Sequence, residues 1–220
     1  MECCILFFHY RRCPVTERHY AIVRQANPYP VLPIRINDGS GQEGLDGSFF
    51  TEYIDKPWAN ADLALYEIAK KKVVDAERYI LIEWDCLANM PVREWLGDKW
   101  DADATTTTLK TPLLNPDWCW WYESGYGEYR QLRLPKHLKR YQCGMQPCNG
   151  VMISRRMMDK LANVDIPPSI CSERRLGTLI HSLGGVIQEA GSKNNNFNEL
   201  WVRYDPNKPD IYHPVKQLKD

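Results

Sequence analysis

The sequence has no charge of either sign to spare: 28 basic and 28 acidic residues leave a formal net charge of zero. A nucleic-acid partner needs a basic stripe to neutralise phosphates, so this balance argues against one. Long apolar runs are missing too, and none reaches the roughly 18 residues that a membrane-spanning helix requires. The opening MECCILFFHYRR holds an acid where a signal peptide would carry positive charge. Cysteine is present, yet Cys3, Cys4, Cys13, Cys86, Cys119, Cys143, Cys148 and Cys171 show no CxxC pair and no partnering HxxxH. That spacing argues against a zinc module or a small disulfide framework. The joint expectation is a soluble, unexported, cytoplasmic chain whose thiols stay reduced.

What is present suffices for one substantial core, read as a single domain over residues 1–220. CILFFHY, Cys4 to Tyr10, is a compact apolar run and reads as a first buried strand. After the loop RRCP, Thr16 followed by Glu17 to Arg24 predicts a capped helix with Tyr20, Ile22 and Val23 inward, stopped by Asn27-Pro28. PVLPIRI, Pro30 to Ile36, predicts the second strand. Asn37 to Gly47 holds four glycines without apolar periodicity, a loop and a candidate for mobility. Trp58 to Val74 carries Leu63, Tyr66, Ile68, Ala69 and Val73 in a helical rhythm and ends on Lys70-Lys71-Lys72, which suits the negative end of a helix dipole.

Next comes YILIEWDCLANMPV, Tyr79 to Val92, a strand-forming run that ends on two carboxylates one residue apart. Alternating strands and helices over the first 85 residues predict a parallel α/β sheet, whose ligands gather at the C-terminal strand ends. HYRR (His9 to Arg12) and EWD (Glu83 to Asp85) then share one edge. In an extended segment residues i and i+2 face the same way, so Glu83 and Asp85 can address one hard cation while Trp84 points elsewhere. A solvated strand end would carry the same two acids. Further on, DADATTTTL predicts a strand, GVMISRRMMDKLA a strand running into a helix, and ERRLGTLIHSLG a helix with Leu176, Leu179, Ile180 and Leu183 on one face. Ile211 to Pro214 reads as extended.

Five segments, in this order, resemble the nucleotide-sugar-dependent glycosyltransferases of GT-A fold: CILFFHYRR, ILIEWD, PCNGVMISRRMM, SERRLGTLI and YHPVK. The resemblance implies a central, mostly parallel sheet flanked by helices. A Rossmann-like half over about residues 1–100 would bind the nucleotide sugar, and about 101–220 would form an acceptor half with a C-terminal metal and diphosphate segment. It implies a UDP- or GDP-sugar donor, a glycan or glycoconjugate acceptor, and Mn²⁺ or Mg²⁺ held by Asp85 with Glu83 and His213. Glutamate at position 83 departs from the family's usual aspartate and suits a ribose or water-mediated contact, which leaves Asp85 as the direct ligand. His9, Tyr10, Arg11, Arg12, Trp84 and Lys216 fall on the nucleotide side. Glu173 stands where an inverting enzyme keeps its general base, and Asn149 with Gly150 where the donor-sugar pocket turns.

WCWWYESGYGEY, with Trp118, Trp120 and Trp121, offers aromatic faces for sugar rings and reads as an acceptor rim. Two alternatives stay open. One is a non-enzymatic carbohydrate-binding module built on those tryptophans. The other is a nucleotidyltransferase making nucleotide sugars, although HYRRCPVTER lacks the glycine-rich phosphate loop such enzymes place after the first strand.

Overall fold

A computed structural model describes residues 1–118, 121, 134–166, 170–191 and 204–216. The chain builds β1 (Cys3–His9), α1 (Pro14–Ala26), β2 (Val31–Asn37), β3 (Phe49–Tyr53), α2 (Pro57–Asn60), α3 (Asp62–Lys71) and β4 (Arg78–Glu83). Then follow β5 (Leu87–Ala88), α4 (Val92–Leu96), β6 (Ala104–Thr106), β7 (Leu109–Lys110), β8 (Gly144–Met145), β9 (Asn149–Ser154), α5 (Arg155–Leu161), α6 (Ser172–Ser182), β10 (Ile187–Glu189) and β11 (Ile211–Tyr212).

Seven strands form one sheet in the order β10-β6-β9-β4-β1-β2-β3. The β1–β2, β1–β4, β2–β3 and β6–β10 pairs are parallel, and β9 alone runs against its neighbours β4 and β6. This is the expected mostly parallel α/β sheet, and strands from both halves of the sequence share it. The apolar run of β1 has a simple cause. Its residues alternate between faces, Cys4, Leu6 and Phe8 packing with α3, α5 and α6, and Cys3, Ile5 and Phe7 with α1, α4 and β11. A strand covered on both sides needs no polar alternation.

From β1 the chain moves outward through β2 and β3, then returns to lay β4 on the other flank of β1. Such a reversal opens a crevice at the carboxyl ends of the two central strands, where α/β sheets take their ligands. Two expectations need correction. The helix predicted over 58–74 is broken at Ala61 into α2 and α3, and β3 lies just beyond the glycine-rich segment, where no strand was expected.

That glycine-rich segment is also tied down. Arg35, 2% exposed, extends along it from β2, its Nε donating to the Gln42 carbonyl at 3.1 Å and its Nη2 to Asp38 Oδ1 and Ser40 Oγ, each at 3.2 Å. The Arg12 amide adds a bond to the Glu43 carbonyl at 2.7 Å. The sequence reading of this loop as a candidate for mobility did not include these bonds from Arg35, which lies inside the β2 run.

Candidate functional site

The acid pair sits where β4 ends. The strand stops at Glu83 and the chain turns at 84–85, so the extended spacing assumed from sequence does not hold. The turn is held from several directions. Cys86 N–H donates to the Glu83 carbonyl at 2.8 Å, His19 Nδ1 to the Trp84 carbonyl at 2.7 Å, and Val215 N–H to the Asp85 carbonyl at 2.7 Å. The last bond exists because β11 pairs antiparallel with β5, which returns the C-terminal segment past the turn. The same pairing carries His213 in, and its Nε2 lies 3.7 Å from Asp85 Oδ1.

Glu83 is fixed by Tyr10, whose hydroxyl donates to Oε1 at 2.6 Å. Asp85 is 8% exposed, and its Oδ1 has no hydrogen-bond donor among the described residues. Burial raises the pKa of Glu83, the Asp85 charge raises it further, and the Tyr10 bond opposes both. Burial also raises Asp85, with Lys216 pulling the other way. Glu173, at the first turn of α6, is pushed up to about 7 by burial despite a 3.0 Å bond from Ser172 Oγ. Glu83 is also raised, to a smaller extent, by the charge of Glu173. His213 is pushed down to about 3, first by burial and then by Lys216, and is neutral at ordinary pH.

An unpartnered buried carboxylate oxygen beside a neutral imidazole fits a divalent cation. No cluster of three or more ligating side chains occurs among the described residues. The protein's share would therefore be small, with water and phosphate oxygens supplying the rest, as Mg²⁺ and Mn²⁺ accept.

Beside the turn opens a cavity of about 400 Å³. Tyr10 and Arg11 line it from just after β1, Cys13 from just before α1 and Thr16 from its first turn, Asp38, Ser40 and Gln42 from the tethered loop, and Trp84 from the turn. Arg12 is engaged elsewhere, with Glu17 at 2.6 Å and Asp46 at 2.8 Å. His9 is fully buried, its Nε2 is 3.1 Å from Ser48 Oγ, and burial lowers it to about 4. It offers no face to a nucleobase, which corrects that expectation.

Trp118 and Trp121, which do not line this cavity, meet edge to face with centroids 4.6 Å apart. Trp121 Nε1 donates to the Asn115 carbonyl at 2.7 Å, and the Arg174 guanidinium lies 5.9 Å from its ring centre. Trp118 lies directly on Gly144, where a Cβ would come within 2.2 Å of the ring. Both tryptophans are therefore partly committed to packing; Trp120 lies outside the described residues. Asn149 and Gly150 do not line the cavity; Asn149 is 4% exposed and faces His213. Lys216 is exposed, yet acts electrostatically on Glu83, Asp85 and His213.

No family model and no curated protein matches the sequence. Among solved structures, TarS of S. aureus superposes on 98% of this chain with a TM-score of 0.50 at 11% identity. The fold is GT-A-like. The mannosyltransferase PcManGT of Pyrobaculum calidifontis, in complex with GDP-Man and Mn²⁺, aligns over 87% of this chain with a TM-score of 0.47 and 13% identity. The galactosyltransferase LgtC, in complex with donor and acceptor sugar analogues, aligns over 84% with 0.40 and 12%. This chain spans 55% of the mannosyltransferase and 37% of TarS.

In this GT-A-like frame, sequence reasoning missed His19 and Arg35. The signal for His19 was its place with Thr16 and Val23 on the buried stripe of α1, since a histidine on an inward face requires a partner.

The raised carboxyls make a pH prediction. A carboxyl whose folded pKa exceeds its unfolded value adds stability at low pH and loses it as pH climbs through the folded value. The depressed histidines work oppositely, but their window closes by about pH 6.5, their unfolded value. Without cation, the melting temperature should fall between pH 6.5 and 8, and added Mn²⁺ should restore more at pH 8 than at pH 6.5. A flat thermal profile over that range would contradict the carboxyl assignment.

Proposed function

We propose that this chain is a metal-dependent glycosyltransferase, moving a sugar from a nucleoside diphosphate donor to a hydroxyl of a glycan or other acceptor. The reading is carried by the buried, unpartnered Asp85 oxygen, set 3.7 Å from the neutral imidazole of His213 and next to the cavity wall formed by Trp84. Asp85 and His213 would hold Mn²⁺ or Mg²⁺, which supplies charge neutralisation for the departing diphosphate. Glu83, held by Tyr10, is a further carboxylate on the cation side. Arg11, Tyr10 and Trp84 face the cavity that would take the UDP or GDP portion, and Lys216 adds positive charge. Arg12 belongs to the loop tether instead.

Glu173 is the candidate base. Its pKa near 7 lets it be ionised at neutral pH yet still hold a proton, the compromise that general base catalysis favours. With Glu173 taking the acceptor's proton, the hydroxyl oxygen would bond to the anomeric carbon from the face opposite the departing diphosphate as the bond to that diphosphate breaks, a single displacement that inverts the configuration. Trp118 and Trp121 stand at the acceptor side. The seven described cysteines are free thiols, which suits a reducing cytoplasm.

The test is calorimetric titration with UDP and with GDP, each with and without Mn²⁺, on wild type and Glu173→Gln. Cation-dependent binding of one nucleotide should appear in both proteins. Sugar transfer from the matching donor should fall about 10²–10⁴-fold in the variant, the usual contribution of a positioned base. Absence of nucleotide binding in all arms would defeat the reading. Sugar binding indifferent to nucleotide and cation would favour a carbohydrate-binding module, and release of pyrophosphate from nucleoside triphosphate and sugar phosphate a nucleotidyltransferase.

A further inference from the structure

Asn149 opens β9 where its register with β4 slips. Leu81 pairs with Val151 and Ile82 with Asn149, leaving Gly150 as the extra residue of a bulge. Gly150 adopts φ +83°, and a Cβ there would lie 3.0 Å from Trp95. Bulges re-aim the side chains beside them. In this one the Asn149 amide nitrogen reaches His213 Nδ1 at 3.2 Å, while His213 Nε2 faces Asp85 Oδ1 at 3.7 Å.

We propose that Asn149 is a positioning residue that selects which ring nitrogen of His213 carries the proton, and so whether the nitrogen facing Asp85 can act as a ligand. The inference rests on reading Asp85 and His213 as a cation site. A neutral imidazole has one N–H. With the amide NH₂ donating to Nδ1, the ring proton belongs on Nε2 and points toward Asp85. To ligate, Nε2 must offer its lone pair, so the proton must sit on Nδ1, where it needs an acceptor.

The amide oxygen of Asn149 becomes that acceptor after a half-turn of the amide. Ligating histidines nearly always donate their second N–H in this way, and the partner fixes ring and tautomer. Asparagine is the side chain that serves both states. Aspartate would serve only the ligating one, and leucine neither. Neither state requires an added proton; the switch moves one proton between the two ring nitrogens.

The experiment reads the His213 tautomer from ¹⁵N ring spectra of cation-free protein at pH 7, in wild type, Asn149→Asp and Asn149→Leu, alongside Mn²⁺ affinity by calorimetry. The proton is expected on Nε2 in wild type and on Nδ1 in Asn149→Asp. Mn²⁺ should bind more tightly to Asn149→Asp than to wild type, and about 10–100-fold more weakly to Asn149→Leu. An unchanged tautomer in Asn149→Asp, which is nearly isosteric, overturns the proposal whatever Asn149→Leu does. So does wild-type Mn²⁺ affinity in a folded Asn149→Leu. If the tautomer follows residue 149 while no form binds Mn²⁺, Asn149 does position the ring and it is the cation reading that fails.

Discussion

Replacing Asp85 by asparagine should abolish cation-dependent nucleotide binding and, in the same protein, raise the melting temperature. The two effects have one origin. The Asp85 carboxylate is 8% exposed, near Glu83, and one of its oxygens has no donor among the described residues. Burial of these carboxylates in a site of low dielectric destabilises the cation-free fold: burial makes both acids hold their protons more tightly than usual, and the Asp85 charge adds to the effect at Glu83. An amide of the same shape removes one charge and relieves the other. About 1 kcal/mol moves the melting temperature of a chain this size by roughly 2–4 °C, so a gain of a few degrees at pH 8 without cation is expected.

Function should move the other way. Loss of a residue that merely orients a metal ligand lowers affinity about 10–100-fold, and loss of the ligand itself should reach at least the upper end. Calorimetry with nucleotide and Mn²⁺, paired with thermal melts, measures both halves. A variant that binds as wild type does removes Asp85 from the cation site. One that melts lower shows instead that the carboxylate supports the fold. Opposite movement of stability and binding marks a group kept for function at the expense of the fold.

How much of this was legible beforehand depended on how local each feature is. β1 and β4 could be read because continuous apolar runs suit strands covered on both faces. The helix carrying Glu173 could be read because Leu176, Leu179 and Ile180 return on one side. The turn at 84–85 could not, because it is set by His19, 65 residues earlier in the chain, and by Val215 in the C-terminal segment. β3 was hidden because only Thr51 of its five residues is buried, so FFTEY shows no clean alternation. His9 was misjudged because it was grouped with the HYRR segment at the sheet edge, whereas it is the last residue of β1 and is buried with the rest of the strand. The reversed direction of β9 leaves no trace in its own residues; it is decided by pairing with β4 and β6.

The largest stability effect is expected from Arg175→Met. Arg175 is fully buried in α6 and grips the start of α3: its Nε donates to Asp62 Oδ2 at 2.9 Å, its Nη2 pairs with Asp62 Oδ1, and the same Nη2 reaches Asn60 Oδ1 at 3.2 Å. Tyr66 donates to Asp62 from the next turn at 3.1 Å. Removing the guanidinium leaves the fully buried Asp62 without its cation, and breaking such a pair costs about 3–5 kcal/mol. At roughly 2–4 °C per kcal/mol, the melting temperature should drop on the order of 10 °C. Pairing Arg175→Met with Asp62→Leu should recover much of that loss, since two apolar side chains need no partner. The double variant then isolates what the pair does for the site. Arg175 Nη1 also holds the Ile170 carbonyl at 2.6 Å, just ahead of the helix start that presents Glu173. With stability restored and that anchor gone, nucleotide binding at Asp85 should persist while sugar transfer falls. Full transfer in the double variant would show that the anchor does not position Glu173, and loss of nucleotide binding would extend its reach to the turn of β4.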